Sequence, residues 1–203
     1  MSTVLKDLFF RLIDLLDAVL FEPFRLESTF ASWGDSPLKI AKIFVLLLAS
    51  LSVAAGNILI SPPFSSRSIG LLISSFILFL GFFSLLPYPL AYIIDGLAQK
   101  KDRKANAKSL FHTVRIGISV FITYGAWAIF LSLLGLGGKV GVLLLYLIHY
   151  GLFFIIVIRA TMYLYDLKFR DALSFNITTF VITFFFPPAM YFTLGISFAA
   201  SSQ

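Results

Sequence analysis

The sequence contains no cysteine. Disulfide staples, thiolate metal sites, cysteine nucleophiles and thiol-linked acylation are therefore excluded together. Charge is scarce as well: 13% of the residues are Asp, Glu, Lys or Arg, where soluble domains carry about 25%. Soluble, disordered and disulfide-stapled classes fit such a chain poorly. No phosphate-cradling glycine loop, HExxH pair or G-x-S-x-G elbow occurs. Nothing sets a nucleophile, a base and an orienting group at one membrane depth. The expectation is a non-enzymatic protein with no catalytic, cofactor-binding or metal-binding residues.

What the chain has in abundance is apolar surface. Of its 203 residues 59% are hydrophobic, and the mean hydropathy is +0.96, the signature of an integral membrane protein. Stretches free of charge run 43–66, 68–94, 116–138, 140–158 and 172–203. A helix needs about 20 residues to cross the hydrocarbon core, and each stretch reaches or nearly reaches that length. A barrel would instead show alternating segments of about 10 residues. The expected fold is all-α and polytopic, with five transmembrane helices at 40–60, 69–94, 111–134, 140–159 and 172–197. Residues 1–37 form a cytoplasmic segment and residues 38–203 a single transmembrane domain.

The 16 basic residues exceed the 10 acidic ones, and their placement gives the excess its meaning. Lys6, Arg11, Arg25, Lys39 and Lys42 precede the first span. Lys100, Lys101, Arg103, Lys104, Lys108 and Arg115 lie in or near the second connection, and Arg159, Lys168 and Arg170 in the fourth. The alternate segments hold only Arg67 and Lys139. Cytoplasmic loops carry the basic excess, so the N-terminus is expected in the cytoplasm and the C-terminus outside, in a bacterial-type inner membrane. Topology accounts for the bases without nucleic acid. Anionic headgroups remain a second reading of Lys100–Lys108.

The first residues do not read as a secretory leader, since charges interrupt the leucines. On a helical wheel Lys6, Asp7, Arg11, Asp14 and Asp17 share one arc, and Leu5, Leu8, Phe9, Leu12 and Leu16 fall in the apolar remainder. That is an amphipathic helix lying in the membrane interface. It either anchors the chain or docks a partner through Leu5, Leu8, Phe9, Leu12 and Leu16.

Ionisable groups inside the bilayer are functional candidates. His149 lies near the middle of its span, and the bland reading is a histidine hydrogen-bonded across the bundle to a hydroxyl. Asp95, Arg115 and Arg159 fall at cytoplasmic ends of three helices. They are either boundary charges or a network joined by Asp166, Arg170 or Asp171. The pairs Pro87/Pro89 and Pro187/Pro188 free carbonyls one turn back, which can open a cavity. Gly137 and Gly141 permit close helix approach, and a homo-oligomer stays open.

Several features resemble the Yip family, five-span membrane proteins named for interaction with Ypt/Rab GTPases. They are Phe21-Glu22-Pro23-Phe24-Arg25 before the membrane, the N-in threading, the turn Gly135-Leu136-Gly137-Gly138, and Ile158-Arg159 with Lys168-Phe169-Arg170-Asp171-Ala172-Leu173 before the last span. The resemblance covers residues 20–197 and implies a five-helix bundle. The Asp-Leu-x-Gly-Pro and Gly-Tyr motifs of eukaryotic members are missing, so the chain is more similar to compact prokaryotic ones. The expected function is a scaffold or accessory subunit that binds a membrane or peripheral protein partner at the cytoplasmic face, with the lipid bilayer as its other partner. The alternative is a transporter or permease subunit with a polar route near His149.

Overall fold

The computed structural model describes residues 35–60 and 67–183, with positions 10, 13, 14, 17, 18, 22, 25 and 28 before them. Helix α1 spans Asp35–Leu59, α2 Arg67–Leu85 and α3 Pro87–Gln99. Helix α4 spans Ala107–Gly117, a 3-10 segment Ile118–Thr123, α5 Tyr124–Leu133 and α6 Gly138–Leu164. Residues 169–183 form α7. The described residues contain no strand.

Four helical rods are long and apolar enough to cross a membrane: Lys39–Leu59, Ile69–Gln99, Ala107–Leu133 and Gly138–Leu164. The protein is an integral membrane protein on that count. The C-terminal part of the expected fifth span, with Pro187 and Pro188, lies outside the described residues, as do Leu5, Leu8, Phe9, Leu12 and Leu16. Positions 10, 13, 14, 17 and 18 are helical.

Composition explains why these segments are helices. In lipid every backbone amide must be satisfied within its own segment, and long runs of Leu, Ile and Phe leave the helix as the available solution. Asp35-Ser36-Pro37 opens α1, with proline in the first turn, where its missing amide has no partner to lose. Pro87 and Pro89 interrupt the second rod at Leu86, whose amide still bonds the Phe82 carbonyl at 2.9 Å, so helix resumes at once. In the third rod the 3-10 segment tightens six residues between two α-helical stretches.

The rods overrun the lengths expected from the charge-free runs. The second has 31 residues and the third and fourth 27 each. At about 1.5 Å per residue they measure roughly 40–46 Å, against a core of about 30 Å. A sequence estimate stops at Asp95 and Arg159 because charge is costly in lipid, but the helices continue to Gln99 and Leu164 beyond it. Those extensions position the site below.

Packing is uneven. Val45, Ala49, Val53, Phe83, Leu90, Val114, Phe121, Tyr124, Phe153 and Val157 belong to one buried cluster. Helix α1 packs against α2, the 3-10 segment and α5. Leu78, Leu85, Leu133, Val140 and Leu147 are left open, as a lipid-facing surface requires. Among the most apolar stretches, 11% of the second rod is buried and 44% of the third. The third rod is the hub.

Candidate functional site

The overrunning ends of α3 and α6 meet the starts of α4 and α7 at one end of the bundle. Both rods stop there in the same way. After α3 the amides of Asp102 and Arg103 bond the carbonyls of Gln99 and Ala98. After α6 those of Asp166 and Leu167 bond the carbonyls of Tyr163 and Met162. This is the Schellman arrangement, with a left-handed residue just beyond the helix. Asp102 (φ 59°) and Asp166 (φ 47°) hold that position.

Asp95 ties the two stops together. Its carboxylate is 6% exposed, and donors from three places converge on it. The Tyr165 hydroxyl donates to Oδ1 at 2.6 Å, the Asn106 amide to the same oxygen at 2.7 Å, and Gln99 Nε2 to Oδ2 at 2.5 Å. Burial, and then the hydrogen bond to Asp95, push the Tyr165 phenol above its ordinary range, so it stays a donor. Outside this core Lys101 Nζ donates to Asp171 at 2.6 Å and Arg103 to Asp166 at 3.2 Å. The Lys101 hydrogen bond holds the Asp171 carboxyl below its usual value.

The members of the candidate charge network stand in different settings. Asp95, Asp166 and Asp171 are all engaged, but no ion pair among the described residues joins Asp95 to Arg115 or Arg159. Arg115 instead lies over the Phe111 ring, 5.4 Å from its centroid, and Arg159 is half-buried on α6. Neutral donors satisfy the buried carboxylate, and the exposed bases pair with exposed acids. Charge position along the sequence gave no hint of Tyr165 or Asn106, since neither is charged.

His149 is 1% exposed. Its Nδ1 is 2.8 Å from the Leu145 carbonyl, which can only accept, so Nδ1 carries a proton. Nε2 lies 3.3 Å from Thr123 Oγ1 on the neighbouring rod, and the Tyr124 ring centroid is 5.1 Å away. Both nitrogens are thus occupied by the bundle. His112 lies elsewhere, with Nδ1 3.3 Å from Lys42 Nζ. Among the described residues no group of three or more His, Asp or Glu side chains is arranged to hold a metal ion.

A thread of neutral polar side chains, not anticipated from the sequence, runs through the interior. Tyr124 donates to Asn57 Oδ1 at 2.8 Å, and Asn57 Nδ2 donates to Tyr146 at 2.9 Å. Ser52 Oγ donates to the Ile122 carbonyl at 2.7 Å and accepts from the Gly125 amide at 2.8 Å. It thereby satisfies backbone groups beside the 3-10 segment. Asn176 on α7 donates to Thr161 Oγ1 on α6 at 3.1 Å. The available signal was the side-chain amide itself: Asn57 and Asn176 sit within charge-free runs, where an unpartnered amide is costly.

The opposite end of the bundle has another design. Gly135 (φ +73°) ends α5 in the same Schellman pattern, with its own amide bonded to Ser132 and that of Leu136 to Leu131. The Gly138 amide then bonds the Ile60 carbonyl at 3.1 Å. A Cβ at Gly137 would stand 2.3 Å from that carbonyl oxygen, and one at Gly141 2.9 Å from the Ile60 side chain. The glycine spacing is consumed inside the chain. No family model, characterised protein or solved structure matches the chain.

Proposed function

We propose that the chain is a non-enzymatic membrane scaffold or accessory subunit that holds a protein partner at its cytoplasmic face. The proposed threading has five spans, N-terminus inside and C-terminus outside, in a bacterial-type inner membrane. That is also the threading that the resemblance to the Yip family implies. Its support is the segregation of fourteen bases onto alternate segments against two on the others.

The observation that carries the reading is the clasp around Asp95. Its bonds to Asn106 and Tyr165, with the Lys101–Asp171 and Arg103–Asp166 pairs, fix two connections to each other. The result is one ordered basic platform rather than two independent loops. Lys100, Lys104, Lys108, Lys168 and Arg170 remain exposed on it. Partner binding benefits from such preorganisation, because loop ordering is not charged against affinity. The apolar face of the N-terminal helix is the second docking element of the proposal.

The test is isolation of the tagged full-length chain in mild detergent, alone and as two variants. Leu8→Glu/Leu12→Glu alters the helix, and Lys100→Glu/Lys104→Glu alters the platform. A stoichiometric partner retained by the parent and lost by either variant supports the reading. A parent that retains no protein, or a partner unaffected by both changes, overturns it.

One observation favours the transport alternative: the 3-10 segment lies in mid-span, ends at the His149 partner Thr123, and such segments often mark hinges. Cysteines placed beside His149 decide the matter. Reaction with aqueous thiol reagents from both sides would support a route, and protection from both would remove it.

A further inference from the structure

We propose that the third rod is a conformational link between the bundle interior and the clasp, held stretched by hydrogen bonds at both ends. The stretched part is the 3-10 segment Ile118–Thr123. Hydrogen bonds of this geometry are poorer than those of the α-helix, and runs beyond three or four residues are uncommon. At about 2.0 Å against 1.5 Å per residue, the six residues are roughly 3 Å longer than in an α-helix. No proline lies among them to force the change. A glycine stands at either side, each against a neighbouring helix. A Cβ at Gly117 would be 3.1 Å from the Ile156 side chain of α6, and one at Gly125 3.0 Å from Ser52 Oγ of α1.

Ser52 holds the inner end. In an α-helix the Gly125 amide takes the Phe121 carbonyl, four residues back. Here the Tyr124 amide holds that carbonyl, and the Gly125 amide donates to Ser52 Oγ at 2.8 Å. The same hydroxyl donates to the Ile122 carbonyl at 2.7 Å. One side chain of α1 thus stands in for main-chain bonds that the 3-10 geometry displaces. The Tyr124–Asn57 bond and the Thr123–His149 contact fix the same junction to α1 and α6. The Asn106 amide, one residue before α4 begins, holds the outer end in the Asp95 clasp. The rod separates these two anchors by roughly 28 Å.

A second observation gives the direction of release. Ser119 is 6% exposed, and its Oγ makes no hydrogen bond among the described residues. The other buried hydroxyls there, those of Ser50, Thr113, Thr161 and Thr179, lie on α-helices and donate to the carbonyl four residues back. α-Helical winding brings the Arg115 carbonyl into the same relation to Ser119. Relaxation of the segment therefore satisfies Ser119, returns the Phe121 carbonyl to Gly125 and shortens the rod. With α5 fixed to α1 and α6, the shortening pulls on α4 and on the Asn106–Asp95 bond. Ser52 and the clasp thus bias one two-state element, which is the physical requirement for coupling between distant sites. Control of platform order by the interior rests on the proposed function above. The coupling itself is a property of the chain alone.

The experiment is equilibrium unfolding and hydrogen exchange of the full chain in mixed micelles, for Ser52→Ala, Tyr165→Phe and the double variant. Changes at separated, independent sites have additive effects. Here each single change is expected to lower the folding constant. The double variant should lose about threefold or more less than the product of the two, because a loosened clasp lets the segment relax without Ser52. In Ser52→Ala, exchange across residues 100–106 should also rise about threefold or more, with residues 134–141 within about twofold of the parent. Ser50→Ala, whose hydroxyl bonds the Leu46 carbonyl of its own helix, is expected to leave residues 100–106 within about twofold. Additive effects, or a rise confined to residues 118–125, would overturn the link and leave Ser52 a local support. An equal rise along the whole chain would overturn it in favour of general destabilisation. Should Ser52→Ala fail to fold, Thr123→Val takes its place in the cycle with the same expected sign. Coupling in a chain that retains no partner would uphold the link and remove only the proposed use of the platform.

Discussion

The two ends of the bundle solve one problem, the stopping and joining of adjacent rods, with different chemistry. At the Ile60 end the means are backbone and glycine: Gly135 takes the left-handed turn, and the Gly138 amide bonds Ile60 directly. At the Asp95 end, aspartates hold the left-handed positions and side chains make the cross-links. Glycine adopts that conformation without steric cost, whereas any other L-residue is strained there. An end built only for stability would use glycine twice more. The Asp95 end instead carries charge at those turns and surrounds it with bases. The difference separates a joint from a surface.

The largest effect is expected where the comparison is most steric. Gly137→Val places a branched side chain against the Ile60 carbonyl, where even a Cβ would stand at 2.3 Å. Backbone must move, and the cost is about 3 kcal/mol or more. Unfolding in mixed detergent micelles measures it, and a loss under about 1 kcal/mol would show that this end yields easily. Asp95→Ala should follow. It strands the buried Tyr165 hydroxyl and removes the bond that the carboxylate accepts from the Asn106 amide at a part-buried position, at about 1–3 kcal/mol. It should also raise hydrogen exchange across residues 100–106 while leaving the Ile60 end unchanged. A uniform rise at both ends would break the distinction.

Much of this architecture was legible from composition, and the reasons for success and failure are physical. Charge-free runs located the four described rods because lipid tolerates little else, and the turn at 135–138 announced itself through its glycines. The same rule cut two rods short at Asp95 and Arg159, because solvation and helix formation end at different places. It also misdirected the search for the partners of Asp95. A buried carboxylate can be satisfied by neutral donors, and Tyr165 and Asn106 bear no mark of that role until the loops are folded. His149 and Thr123 are separated by 26 positions, and periodicity within one helix cannot report a bond between two. The neutral thread through Asn57, Tyr124 and Tyr146 was hidden for the same reason.

The smallest effect sharpens the comparison most. Asp102 is exposed and sits at φ 59°; its amide bonds the Gln99 carbonyl, and its side chain makes no hydrogen bond or ion pair among the described residues. Replacement by glycine converts that turn to the chemistry of the Ile60 end. Relief of left-handed strain is worth about 1–2 kcal/mol, the added freedom of the unfolded chain returns about 0.5–1, and a net gain of about 0.5–1 kcal/mol should remain. Asp102→Gly is therefore expected to stabilise the protein slightly, read as a later unfolding midpoint in the same micelles. If the aspartate serves a surface rather than a joint, the stabilised variant should bind the partner proposed above differently while folding better. A variant that folds less well would mean that Asp102 supports the turn in a way its geometry does not reveal. The two ends would then differ in composition but not in purpose.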